Sequence, residues 1–214
     1  MNQTQPRGIR TVLRATAGGR VAELQARYLA DDPTTVATLA RLRRCDPADV
    51  GAEPLVWAVT LGDLPEELTN VSGRRSEQPT AAERALHATL VLYALHQQSG
   101  EVGAHAPGVS LGLAVGRLAR ARAIDEEFDS ATIKRLHITA LATDLRGHLH
   151  HLRGLIQLMR AEKQTIGLDH GLLAVDLWQL ADARQDSREV LARWGRDLHS
   201  RPKTTDPTTS EEPK

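Results

Sequence analysis

Apolar residues recur at helical spacing along almost the whole chain, and no segment shows the apolar–polar alternation of a half-buried strand. The stretch 144–163 is the clearest case. Leu145, Leu149, Leu152, Leu155, Ile156 and Met159 stand at i, i+4, i+7, i+10, i+11 and i+14, which is one face of a helix. Repeated from residue 9 to residue 200, this spacing confines the chain to the all-α class. The expected architecture is a helical bundle of about eight to nine helices in two small lobes.

The spacing predicts helices over Ile9–Ala30, Thr34–Arg44, Leu55–Leu61, Ala81–Gln98, a stretch following Ser110, Asp125–Leu141, Asp144–Lys163, Asp169–Ala181 and Asp186–Ser200. Asn70–Gln78 is polar and contains glycine, and reads as a mobile linker. The lobes are expected over 9–105 and 106–200, meeting near residues 100–108, after a flexible N-terminus at 1–8. Residues 201–214 are rich in Pro, Thr and charge with almost no apolar content, and read as a disordered tail. Thr80-x-x-Glu83 and Asp186-x-x-Glu189 have the form of capping boxes. The helix opened by Thr80 is apolar nearly all round between Ala85 and Leu95, the composition of a helix at a bundle's centre.

Residues 105–122 combine a Pro107-Gly108 turn, Ser110 as a natural N-cap, and glycines at 108, 112 and 116. A glycine inside a helix costs about 0.5–1 kcal/mol relative to alanine, so Gly112 and Gly116 imply a neighbour that needs the space. A nucleotide-binding loop would need a preceding strand and Gly-Lys-Ser/Thr, and both are absent. Close packing of another backbone is the better reading. The same helix carries Arg117 and Arg120 about one turn apart, a fixed element holding guanidinium groups toward an anionic partner.

Displaced by one residue from the apolar stripe of 144–163 runs a polar one: Arg146, His150, Arg153, Gln157 and Arg160. It extends about 21 Å, several phosphate spacings along a nucleic-acid strand. Such a stripe also suits an ordinary solvated face or packing against a neighbouring protein. His148, His150 and His151 make a poor metal site. Only the first and last share a helix face, so they read as surface histidines with partial positive charge. Asp125-Glu126-Glu127 with Asp129 reads as a helix N-terminus favoured by the macrodipole rather than an acid/base pair. No His-Glu-x-x-His, Gly-x-Ser-x-Gly or Cys/His pattern appears, so neither an enzyme nor a cofactor is expected.

Formal net charge is zero, with 27 basic and 27 acidic residues, so any contact with nucleic acid must rest on local patches. Four of the 27 basic residues are Lys and the other 23 are Arg. The arginine fork suits phosphate and carboxylate alike, though coding bias accounts equally well for the excess. Six aromatics, with Trp57, Tyr93, Trp178 and Trp194 on apolar faces, leave no platform for base stacking. Nucleic-acid contact is therefore expected at backbone phosphates, independent of sequence and sensitive to salt. Cys45 is the single cysteine, which excludes a disulfide framework. With neither a signal-peptide-like run nor a membrane span, the expected place is the cytoplasm, with no membrane partner.

Together, Leu92-Tyr-Ala-Leu-His-Gln-Gln, Pro107-Gly-Val-Ser-Leu-Gly with its arginine helix, His150-His-Leu-Arg-Gly-Leu and Leu191-Ala-Arg-Trp-Gly-Arg-Asp resemble the CasB family. That family is the small subunit of the type I-E CRISPR Cascade complex, and the order and spacing match over roughly residues 10–200. The resemblance implies an all-helical, non-catalytic subunit present in two copies against the backbone and large subunits. It also implies basic surfaces that hold the CRISPR guide RNA, the target DNA and the displaced DNA strand. By position it points to Arg43, Arg44, Arg117, Arg120, Arg146 and Arg153. Leu113 is a departure, standing where many relatives carry a basic residue and thinning the patch there. Two other readings are a packing subunit whose arginines meet acidic protein surfaces, and a helix-turn-helix regulator binding a palindrome as a dimer.

Overall fold

A computed structural model describes residues 8–200 other than 72, 126, 165 and 183. The expected flexible segment 1–7 and the tail 201–214 lie outside the described residues. Ten α-helices run through the described residues: α1 Ile9–Leu29, α2 Pro33–Leu42, α3 Trp57–Thr60, α4 Glu66–Thr69, α5 Ala81–His96, α6 Leu111–Arg122, α7 Ser130–Ala140, α8 Leu145–Ala161, α9 His170–Ala181 and α10 Ser187–Leu198. The fold is an all-α bundle. α3 and α4 are single turns, and a 3-10 turn at Pro54–Val56 leads into α3.

α5 is the central helix, as its all-round apolar composition requires. Every residue from Ala85 to His96 is buried. The reciprocal capping box forms: Thr80 Oγ accepts from the Glu83 N–H at 3.1 Å, and the Glu83 carboxylate accepts from the Thr80 N–H at 2.7 Å. α9 packs against both α1 and α5, α8 lies against α5 and α7, and α6 pairs with α10. One cluster of buried apolar side chains runs from Leu13 to Leu198 and draws on both halves of the chain.

Several local expectations are revised. The segment read as a linker holds a two-residue antiparallel pairing, Asn70 with Arg75 and Val71 with Arg74, turned at Gly73 with φ +77°. α7 begins at Ser130 rather than Asp125, because Asp129 takes the N-cap and accepts from the Thr132 N–H at 3.0 Å. At Asp186 the cap is one-sided: Asp186 accepts from the Arg188 N–H, while Glu189 turns away to pair with Arg10 at 3.2 Å. Trp57 is 47% exposed rather than packed in an apolar face. None of the described helices is long and apolar enough to cross a membrane.

The loop between α5 and α6 is held by side chains that replace regular backbone pairing. Buried Gln97 donates to the carbonyls of Gly100 and Val102 and accepts from the Ala104 N–H at 2.8 Å. Asp169 accepts from the Gly108 N–H at 2.8 Å and from the Leu172 N–H that opens α9. Gly108 sits at φ +83°, a conformation glycine adopts without strain. These bonds fix where α6 starts, and hence where its arginines stand.

Candidate nucleic-acid interface

Ser110 caps α6, accepting from the Leu113 N–H at 3.3 Å and donating to Asp197 of α10 at 2.6 Å. The glycine strip then meets α10. A Cβ at Gly112 would lie 2.9 Å from the Asp197 Cβ and closer still to the Trp194 carbonyl oxygen. At Gly116 it would collide with the Leu198 carbonyl oxygen. Both glycines therefore serve close helix packing. With that face buried, Arg117 is left half-buried at the edge, with no ion pair among the described residues.

Arg120 is engaged within the chain. Its guanidinium lies over the Phe128 ring at 4.7 Å and donates to the Ser200 carbonyl at 3.1 Å. Arg122, at the end of α6, pairs with Glu162 at 2.7 Å and with Asp129 at 3.7 Å. That bridge ties the C-terminal ends of α6 and α8. Among the described residues no hydrogen bond or ion pair joins Arg117 or Arg120 to the α8 stripe.

On α8 the two stripes separate cleanly. Leu149, Leu152, Leu155, Ile156 and Met159 are buried, while Arg146, His150, Gln157 and Arg160 face solvent with Arg153 half-buried among them. Arg153 lines a groove of about 280 Å³ between α7 and α8, together with Arg135, His150, His151 and Gln157. The His150 and His151 rings meet edge to face at 5.1 Å. His148 is not a surface histidine. It is buried, its Nδ1 lies 2.8 Å from the Thr139 carbonyl, and burial pushes its imidazole pKa down. Among the described residues no group of three or more His, Cys, Asp or Glu is arranged to hold a metal ion.

Arg43 caps the C-terminus of α2 and Arg44 follows it into the loop, exposed, with its Nε on the Ala40 carbonyl at 3.3 Å. This loop reaches α8 through one contact. Arg146 donates to the Asp46 carboxylate at 2.8 Å, across 100 residues of sequence. Arg43, Arg44 and Arg146 thus border one region, which continues along α8 to Arg153. Arg117 and Arg120 stand apart on α6.

Sequence reasoning missed two members of this surface. Arg135 was findable: α7 and α8 are joined by a short connection, so their polar faces lie side by side and Arg135 falls next to the α8 stripe. Asp46 was not, because nothing local marks a partner 100 residues away.

A family model for the CRISPR-associated protein Cse2 matches residues 38–199. The crystal structure of CasB from Thermobifida fusca is similar to this chain throughout. It has 32% sequence identity and a TM-score of 0.71, with the match covering 88% of this chain and 98% of that one. No curated protein matches the chain. With three quarters of its length inside the family model and a near-complete structural counterpart, the chain belongs to the CRISPR-associated Cse2 (CasB) family.

Proposed function

We propose that the chain is the non-catalytic small subunit of a type I-E CRISPR surveillance complex, Cascade, acting in antiviral defence. It is present there in two copies, beside the backbone and large subunits and in the cytoplasm. In this role it stabilises the R-loop, meeting the guide RNA–target duplex and the displaced strand through phosphates alone. The observation that carries the reading is the α8 face. Its apolar half is sealed in the core, while Arg146, Arg153 and Arg160 line the opposite side, flanked by Arg135 and by Arg43 and Arg44.

Energetics make modest contacts sufficient. R-loop formation exchanges one duplex for another of similar stability, so a few backbone contacts tip the balance while base pairing with the guide reads sequence. A neutral chain with local basic patches limits indiscriminate binding by the free subunit.

The test replaces Arg117, Arg120, Arg146 and Arg153 together by Glu. The complex is expected to assemble with its guide RNA and to lose R-loop formation at moderate salt. Failed assembly, with salt-dependent DNA binding by the free chain unchanged, would favour the packing reading instead. Arg120 on Phe128 is the contact that speaks for packing at one position.

A further inference from the structure

Among the described residues, Asp46 is the one carboxylate ion-paired with a member of the α8 stripe; Arg153 and Arg160 have none. The two partners differ in freedom. Asp46 is fixed by its surroundings. Its Oδ1 accepts from the Ala48 N–H at 2.8 Å, and its own carbonyl accepts from the Asp49 N–H at 3.1 Å and meets Nε2 of buried His87 at 3.1 Å. Arg146 is 68% exposed at the first turn of a helix and reaches Asp46 through a single nitrogen, Nη1. The remaining guanidinium N–H groups face outward, in the fork geometry that suits a phosphate.

We propose that Asp46 is an intramolecular competitor for Arg146, a carboxylate that occupies the guanidinium in the free subunit and yields it to a nucleic-acid phosphate in the complex. This rests on the reading of the α8 face as a phosphate-binding surface, and adds a selectivity device to it. An exposed ion pair contributes about 0–1 kcal/mol, so it opens readily where phosphates are already positioned. Against a stray strand, the same contact removes one counterion-releasing site from the free chain. The competing charge stays on across neutral pH. The Ala48 N–H and then the Arg146 guanidinium hold the Asp46 carboxyl below the usual carboxylate range.

The test measures binding of a mixed-sequence single-stranded DNA to the free full-length chain as a function of salt. Asp46→Asn keeps an oxygen for the Ala48 N–H and removes the competing charge. Binding at about 0.1 M salt is expected to tighten several-fold, with the slope of log K against log salt steeper by about 0.7, one further phosphate contact. Asp49→Asn changes the charge equally on the same loop without touching Arg146, and is expected to leave the slope unchanged. In an Arg146→Gln background the Asp46→Asn gain should vanish. Equal gains from Asp46→Asn and Asp49→Asn, or a gain that persists without Arg146, would overturn the proposal. If Arg153→Gln weakens binding while Asp46→Asn is silent, only the competition is wrong. If both are silent, the phosphate-surface reading falls with it.

Discussion

Gly112 lies so close to Trp194 that the α10 backbone occupies the place a side chain would take. α6 and α10 meet across this contact, and a second one follows at Gly116 against Leu198. Gly112→Ala is therefore expected to destabilise the chain, even though alanine is the better helix former. The clash outweighs the propensity gain, for a net loss of about 1–3 kcal/mol. Gly195, exposed on α10 with open space around its Cα, supplies the opposite sign: Gly195→Ala is expected to add about 0.5–1 kcal/mol. Urea midpoints of the two variants, compared at unchanged m-value, check the contrast.

Asp176 anchors the other side of α10. Its carboxylate, 2% exposed as a residue, accepts from Trp194 Nε1 at 2.6 Å and from Arg193. Burial raises its pKa, while Arg193 and the Trp194 N–H oppose that shift. Asp176→Ala strands the indole N–H and an arginine at once, and is expected to cost about 3–5 kcal/mol in denaturant unfolding.

Acid is expected to weaken the fold in a definite window. His96, His105 and His170 cluster in the core, with the His170 ring centroid 5.4 Å from that of His96 and 5.6 Å from that of His105. Burial pushes all three imidazoles down, His96 to about 4 and His170 well below the ordinary value of 6.5. In the unfolded chain they take up protons near 6.5, so below that pH the unfolded state binds more protons than the folded one. Stability is thus fully present above about pH 6.5 and falls toward pH 4, by roughly 1 kcal/mol per pH unit for each histidine still neutral in the fold. Urea midpoints measured from pH 7.5 to 4.5 should drop steadily. His96→Phe should flatten that drop, and an identical pH profile in the variant would refute the assignment.

Much of this fold is legible in sequence because the relevant signals are local. The capping box at Thr80 and Glu83, the buried stripe of α8 and the all-round apolar α5 need only residues within a few turns of one another. The glycines at 112 and 116 announced a close neighbour, and the structure identifies it as α10. What escaped depends on distant partners. Glu189 has the position of a capping-box residue but finds Arg10, 179 residues away. His148 lies on a polar-looking run yet turns inward to a carbonyl of α7. The pairing at residues 70–75 is too short for an alternation pattern to register. The arginines illustrate the same limit: their number was visible, but not that Arg120 is packed on Phe128, Arg146 is paired with Asp46, and Arg117 and Arg153 are left without an ion pair.

The account's central claim is that these arginines meet phosphates inside the complex. Its most direct test is the salt dependence of target-DNA binding by complexes assembled with wild-type chain or with the Arg117→Gln, Arg146→Gln, Arg153→Gln triple variant. Each lost phosphate contact removes about 0.7–0.9 from the magnitude of the log K against log salt slope, so the variant complex should be shallower by about 2–3. An assembled variant complex whose slope matches the wild type would contradict the account.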